Sequence, residues 1–313
     1  MEVVHRSVVL PEEIDSLGHM NARFYFARMA RANEALMRSL GLDQDALAAT
    51  GAVLTRVDNY VRFQREQRLG ARLDVASSVV GLGETGLRVF HEVRNADTGD
   101  LAAMMLAELA LERRSTRERL ELPPGALRLV EAALEPVPDH GWPRSLTLDP
   151  PNRDVTFERI FARIGEHGDA ATGNTPPRTI AVGECDEHGF QRDDLDGVTM
   201  NHRQDAPAPG ESFGPQVMVS PSGMSYGWAL MELRALTFAR PRLGDHIRTI
   251  GAIIGLRHKA RHTRRWTFNM ATGDLLAIDD TIALLLDVEA RRAIDVPDDL
   301  RAALASLQAP EFA

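Results

Sequence analysis

The second half of this 313-residue chain restates the first, and that repeat constrains the fold more than any other feature. Leu69-Gly70 recurs as Leu243-Gly244, and Val79-Val80-Gly81-Leu82 as Ile253-Ile254-Gly255-Leu256. Thr98-Gly99-Asp100-Leu101 recurs as Thr272-Gly273-Asp274-Leu275. All three pairs keep one offset of 174 (244 − 70). Asp15-Ser16-Leu17-Gly18 faces Asp186-Glu187-His188-Gly189 at an offset of 171 (186 − 15), so a three-residue insertion lies between. A chain of this kind folds as two similar units.

Each copy reads as one helix followed by strands. Residues 22 to 40 carry Phe24, Tyr25, Phe26, Met29, Leu36, Met37 and Leu40 around most of a helix circumference. A helix that apolar is wrapped by other structure, and Gly41 stops it in a left-handed cap. Leu87, Val89 and Val93 alternate with Arg88, Glu92 and Arg94, the period of a half-buried strand. Trp266, Phe268 and Met270 repeat the pattern in the second copy. The Thr-Gly-Asp triplets predict hairpin turns. The expected division is an N-terminal unit over 1–135, a Pro-rich connector over 136–174 with a short helix at 157–164, and a C-terminal unit over 175–313. In the second copy Gly197, Pro207, Pro209 and Gly210 interrupt the helix counterpart, which predicts a short or irregular helix there.

Composition bounds the function. Hydrophobic residues make up 44% and charged residues 26%, the balance of a folded chain with a core. A net charge of −9 argues against general nucleic-acid binding, so an anionic ligand has to be met by local arginines. Lys259 is the only lysine, which points to a GC-rich bacterial source. No apolar run is long enough for a bilayer, and Met1 to His5 lack a signal-peptide layout. Cys185 is the only cysteine, so no internal disulfide forms. These features predict a cytoplasmic protein with no membrane partner.

The segment that carries chemistry is Asp15-Ser16-Leu17-Gly18-His19-Met20-Asn21, which runs into the apolar helix. A helix start offers unpaired N–H groups and a positive dipole end, suited to a developing oxyanion. A carboxylate beside it can attack a carbonyl or activate water. From spacing alone two readings stay open, because Asp15 or Asn21 could simply cap the helix and His19 could be a satisfied core residue.

The pattern Asp-x-x-Gly-His-x-Asn before an aromatic-rich helix resembles the 4-hydroxybenzoyl-CoA thioesterase family of hotdog proteins. Tyr60-Val61-Arg62-Phe63, Leu69-Gly70, Leu73-Asp74-Val75 and the Gly99-Asp100 turn extend the likeness over residues 5 to 115, and more loosely over 179 to 290. The resemblance implies an α+β double hotdog, two fused units each with a long central helix wrapped by an antiparallel sheet. It implies hydrolysis of an acyl-CoA with no cofactor beyond the coenzyme A of the substrate. Asp15 becomes the nucleophile or general base. His19 and Asn21 match positions that assist catalysis or shape the loop, and the amides of Gly18, Met20, Ala22 and Arg23 become the oxyanion and loop donors. A fused pair mimics the usual dimer within one chain, and a homodimer of such chains stays open.

The second copy keeps Asp186 and Gly189 but has Phe190 for the histidine and Arg192 for the asparagine, so its site is expected to be incomplete. Cys185 beside Asp186 reads as buried filler. For the coenzyme phosphates the candidates are Arg62, Arg65 and Arg68, and Arg257 and Lys259 from the densest basic run, residues 257 to 265. A solvated hairpin is the simpler account of that run. A hotdog hydratase or dehydratase acting on enoyl thioesters, or a non-catalytic acyl-CoA-binding protein, are the alternatives.

Overall fold

The structure, a computed structural model, describes residues 1–15, 17–83, 86–165, 174–191 and 217–313. Among these residues the chain divides into two compact units, Met1–Pro143 and 144–313.

Unit 1 is an antiparallel sheet with one long helix. Its strands are β1 (Glu2–Val8), β2 (Ala52–Phe63), β3 (Arg72–Gly83), β4 (Gly86–Asn95) and β5 (Leu101–Arg113), in the order β1-β3-β4-β5-β2. Helix α1 (Ala22–Ser39) is capped by Asn21, whose side chain accepts from the Arg23 N–H, and it ends at Gly41 with φ +67°. It buries Tyr25, Phe26, Met29, Leu36 and Met37. Tyr25 and Phe26 meet the Phe63 ring edge-on at 5.4 and 6.2 Å. Phe63 shares a strand face with Val61 and Asn59, so α1 covers that face. Two shorter helices follow in this unit, α2 (Gln44–Ala49) and α3 (Pro124–Ala132).

The opposite face of this sheet is also covered. Arg62 is buried and donates to the carbonyls of His140 at 2.6 Å and Trp142 at 3.2 Å, which fastens the 138–142 segment to β2. His140 packs on Phe90 at 6.1 Å and pairs with the buried Glu92. A Cβ on Gly141 would come within 2.8 Å of Val137 and 3.0 Å of the Phe90 ring, so only glycine fits there. This double cover corrects the half-buried reading of β4. Phe90, His91 and Glu92 are buried together with Leu87, Val89 and Val93.

Unit 2 repeats the strand order. The strands are β6 (Arg178–Thr179), β8 (Ser225–Thr237), β9 (His246–Arg257), β10 (Ala260–Asn269) and β11 (Leu275–Asp287), in the order β6-β9-β10-β11-β8. Short strands β7 (Met218–Val219) and β12 (Arg292–Ala293) pair with β8 and β11. The bounds of β9, β10 and β11 are those of β3, β4 and β5 moved by 174 (246 − 72). The bulges move with them. Register shifts between Val79 and Gly81, Arg56 and Asp58, and Val93 and Arg94 return between Ile253 and Gly255, Leu230 and Glu232, and Thr267 and Phe268. A bulge re-aims every residue after it, so a repeat that preserves its bulges preserves its faces.

The 157–164 helix forms as read, as α4 (Phe157–Ile164), and packs with α5 (Asp298–Ala303) and the C-terminal turn on β9 to β11. Trp266 meets Phe312 at 5.8 Å, and Phe157 meets Phe268 at 6.1 Å. The interrupted helix expected in the second copy, with Gly197, Pro207, Pro209 and Gly210, lies outside the described residues, as does Arg192. Among the described residues no helix is long and apolar enough to cross a membrane.

Candidate active site

The 15–21 loop is a tight turn closed by an antiparallel bridge between Ile14 and Met20. The Asp15 N–H donates to the His19 carbonyl at 3.0 Å, and the Gly18 N–H to the Asp15 carbonyl at 3.0 Å. Gly18 takes φ +79°, which a side chain would resist. One carboxylate oxygen of Asp15, Oδ1, accepts from the Leu17 N–H at 2.9 Å. The other, Oδ2, faces His19 Nε2 at 3.7 Å. The Asp15 side chain is 2% exposed and that of His19 21%, so the imidazole is the more accessible of the two.

The turn is tied to the chain that follows β2. The Met20 N–H donates to the Gln67 carbonyl at 2.7 Å and the Asn21 N–H to the Glu13 carbonyl at 2.9 Å. Glu13 in turn accepts from the Leu10 N–H at 2.9 Å and forms a buried pair with Arg28 of α1 at 2.6 Å. Arg28 also donates to Ser7 Oγ and to the carbonyls of Val8 and Phe24. The start of α1, the turn and β1 are thereby one fastened corner. Sequence reading missed Glu13 and Arg28, because nothing in their spacing marks a pair 15 residues apart.

The amides expected as oxyanion donors are mostly engaged. Gly18 N–H serves the Asp15 carbonyl, Met20 N–H the Gln67 carbonyl, and Arg23 N–H the Asn21 side chain. The correction has a simple cause, since a tight turn consumes its own donors. The Ala22 N–H, at the first helical position, has no acceptor among the described residues, and a first-turn amide has none within its helix. Asn21 is the helix cap, and its side chain makes no hydrogen bond to Asp15 or His19.

The second turn repeats this backbone. Asp186 N–H donates to the Phe190 carbonyl at 2.8 Å, Gly189 N–H to the Asp186 carbonyl at 3.0 Å, and Gln191 N–H to the Pro241 carbonyl at 2.9 Å. Gly189 shares the φ of Gly18, +79°. Here Asp186 Oδ1 accepts two amides, from His188 and Phe190, each at 3.0 Å. The Phe190 ring lies under the Arg242 guanidinium at 4.5 Å. Cys185 is buried, with its Sγ 3.5 Å from the Ala181 carbonyl.

The candidate phosphate contacts separate into kinds. Arg62 is withdrawn by its buried bonds to the 140 and 142 carbonyls, which corrects its expected role. Arg65 and Arg68 are each 65% exposed. They line an open cleft of about 600 Å³ between the 65–71 segment and the turn at Asn95 to Asp100. In unit 2, Arg257 is exposed and the ammonium of Lys259 donates to the Ala293 carbonyl at 3.4 Å. The rest of that basic run is only partly a solvated hairpin. Arg264 makes a bidentate pair with Asp280 at 2.9 and 3.1 Å and donates to the Phe312 carbonyl at 2.9 Å, while His262 meets Asp280 at 3.0 Å. Those bonds hold the Asp280 carboxyl below the ordinary carboxylate range against its burial. No cluster of metal-ligating side chains occurs among the described residues.

Residues 9–130 match the model of the thioesterase-like superfamily. Over 111 residues the chain is 30% identical to a betainyl-CoA thioesterase of Pseudomonas aeruginosa, covering 34% of this chain and 70% of that protein. Over 141 residues it is 30% identical to an L-carnitine dehydrogenase/betainyl-CoA thioesterase of Agrobacterium fabrum, covering 44% of this chain but only 29% of that longer protein. Among solved structures, a 12:0-ACP thioesterase from Umbellularia californica superposes with a TM-score of 0.64 at 12% identity, covering 89% of this chain and 92% of that one, a likeness of fold. The fold is that of the hotdog thioesterases, and the protein belongs to the thioesterase-like superfamily, a thioester hydrolase by class.

Proposed function

We propose that this protein hydrolyses an acyl-CoA to the free acid and coenzyme A at the Asp15–His19 turn of unit 1, within a double-hotdog chain. The observation that carries the reading is the division of labour on Asp15. One oxygen is spent on the turn, and the second, buried, faces His19 at 3.7 Å beside the start of α1. In the simplest mechanism Asp15 Oδ2 takes a proton from water as the water oxygen bonds to the thioester carbonyl carbon. The Ala22 N–H and the positive end of α1 stabilise the oxyanion. The proton passes from Asp15 to His19 Nε2 and from there to the departing sulfur as the C–S bond breaks. Attack by Asp15 itself, through an anhydride, uses the same groups. A distance of 3.7 Å is loose for a proton transfer, and such contacts tighten when substrate binds.

The coenzyme arm is assigned to the cleft edge at Arg65 and Arg68, whose exposure leaves them able to meet phosphate oxygens. The relatives named for betainyl-CoA make that thioester the first member of a substrate panel. Release of free thiol from betainyl, short branched, aromatic, medium linear and α,β-enoyl acyl-CoAs tests the function. Absence of thiol release from every member, with enoyl absorbance changing instead, would replace hydrolysis by hydration.

A further inference from the structure

We infer that His91, Asn59 and Asn33 of unit 1 select an acyl chain that carries a hydroxyl toward its far end; the inference rests on the hydrolytic reading above and names the substrate class for it. The three residues belong to one internal layer. Ser77 stands opposite His91, His91 opposite Met105, and Met105 opposite Val61, and cross-strand partners share a face. Val61 shares that face with Asn59 and Phe63, the face on which Tyr25 and Phe26 of α1 meet Phe63. Asn33 follows Phe26 by 7 residues (33 − 26), close to two full turns, so it lies on the same side of α1.

These side chains bring polar atoms inside and leave them unused. His91 is fully buried and Asn59 is 5% exposed. Ser77 Oγ lies 2.7 Å from His91 Nδ1, which occupies one ring nitrogen. The other, Nε2, is a buried atom with no hydrogen-bond partner among the described residues, and so are Oδ1 of Asn59 and Oδ1 of Asn33. A folded chain pairs nearly all its buried polar atoms, and three orphans in one layer mark a place where a polar guest is missing. The positions that match Ser77, His91 and Asn59 in unit 2, moved by 174 (251 − 77), are Gly251, Arg265 and Leu233. The polar set is therefore particular to the unit that keeps the Asp15–His19 turn, although β3 and β4 repeat as β9 and β10 with their bulges.

The chemistry of the three atoms names the guest. Burial, aided by the charge of Arg56, keeps the His91 imidazole neutral. With the Ser77 hydroxyl donating to Nδ1, the ring proton sits on Nε2, which becomes a donor, while the two amide oxygens are acceptors. A hydroxyl is the small group that accepts from one and donates to another at the same time. An alkyl end does neither. A quaternary ammonium has no O–H or N–H to give, and Arg56, which stands opposite Leu109 and so faces the same layer, disfavours a cation. Depth sets where on the chain the hydroxyl belongs. Asn33 lies about 10 Å along α1 beyond Phe26, away from the catalytic turn. The hydroxyl is thus several carbons removed from the thioester carbon and takes no part in bond breaking.

Matched pairs of thioesters test this: hexanoyl-CoA against 6-hydroxyhexanoyl-CoA, and octanoyl-CoA against 8-hydroxyoctanoyl-CoA. At least one hydroxylated member should exceed its plain match in kcat/KM by about tenfold or more, since a site built to bond a hydroxyl rejects the analogue without one. His91→Leu and Asn59→Leu should each bring that ratio close to one, by slowing the hydroxylated substrate while the plain one keeps its rate. Thermal melts report whether each variant is folded, and Asn59→Leu reads the same ratio if His91→Leu does not fold. A ratio near one for both pairs in the wild type, or a ratio unchanged in a folded variant, would overturn the inference and leave the three atoms to buried water. Calorimetry of the same pairs on Asp15→Asn reads the preference without turnover. Tighter binding of the hydroxylated member, with no thiol released by the wild type, would end the hydrolytic reading and keep the hydroxyl site. Equal binding beside normal thiol release would do the reverse.

Discussion

Asp15 and Asp186 occupy the same turn, with the same backbone bonds and the same glycine geometry three residues on. What separates them is the use of the carboxylate. Asp186 Oδ1 satisfies two amides and has phenylalanine where the first copy has an imidazole. Asp15 Oδ1 satisfies one amide, and Oδ2 faces His19. The pair is therefore its own control for turn formation against catalysis. We expect Asp15→Asn to lose hydrolysis by about a hundredfold or more while remaining folded, since asparagine can still accept the Leu17 amide. Asp186→Asn should leave most hydrolysis in place. Thiol release measured beside thermal melts decides it, and equal rate losses in the two variants would mean that the second copy also reacts.

At the scale of elements, the corner formed by β1, the turn and α1 depends on Arg28 and Glu13. Their side chains are 6% and 11% exposed, so the charges have little water to fall back on. Breaking such a pair from one side leaves an uncompensated buried charge, at a cost of about 3 kcal/mol. Glu13→Leu should show that loss in a urea titration, and hydrolysis should fall with it because the Asn21 amide loses a firmly placed acceptor at residue 13. A midpoint equal to the wild type would mean that Ser7 and the 8 and 24 carbonyls satisfy Arg28 alone. Elements of this kind also mark what sequence could and could not disclose. The repeat, the Gly41 stop, the Thr-Gly-Asp turns and the 157–164 helix were legible, because glycine, proline and periodicity act locally. The Asp-x-x-Gly-His segment was legible as a turn before a helix. The fate of Arg62 was not, since its acceptors are carbonyls some 80 residues away, offered only once the 138–142 segment lies on β2. The engaged amides of Met20 and Gly18 were missed for the related reason that their acceptors are set by the folded turn.

Over the whole molecule the repeat preserves backbone and bulges while the buried polar groups diverge, and one fully buried group in each unit contributes to the pH dependence with opposite sign. In unit 1 His91 is fully buried against Ser77 Oγ at 2.7 Å, and burial, aided by Arg56, pushes its pKa down to about 3. Between about pH 3 and 6.5 the unfolded chain therefore binds a proton that the folded unit refuses. Stability from this group is present at neutral pH and is lost as the pH falls, by about 2 kcal/mol at pH 5. In unit 2 Asp279 is fully buried beside Arg265 and Asp280, and burial pushes its pKa up to about 7 against the opposing effect of Arg265. Here the folded unit keeps a proton that the unfolded chain releases above about pH 4, so stability from this group falls as the pH rises toward 7. Hydrogen exchange read separately on β4–β5 and β10–β11, corrected for intrinsic rates, should show the first pair loosening toward acid and the second toward neutrality. His91→Gln should flatten only the first dependence and Asp279→Asn only the second. If each variant alters both units equally, the chain opens as one cooperative body and the pH response belongs to the whole rather than to either copy.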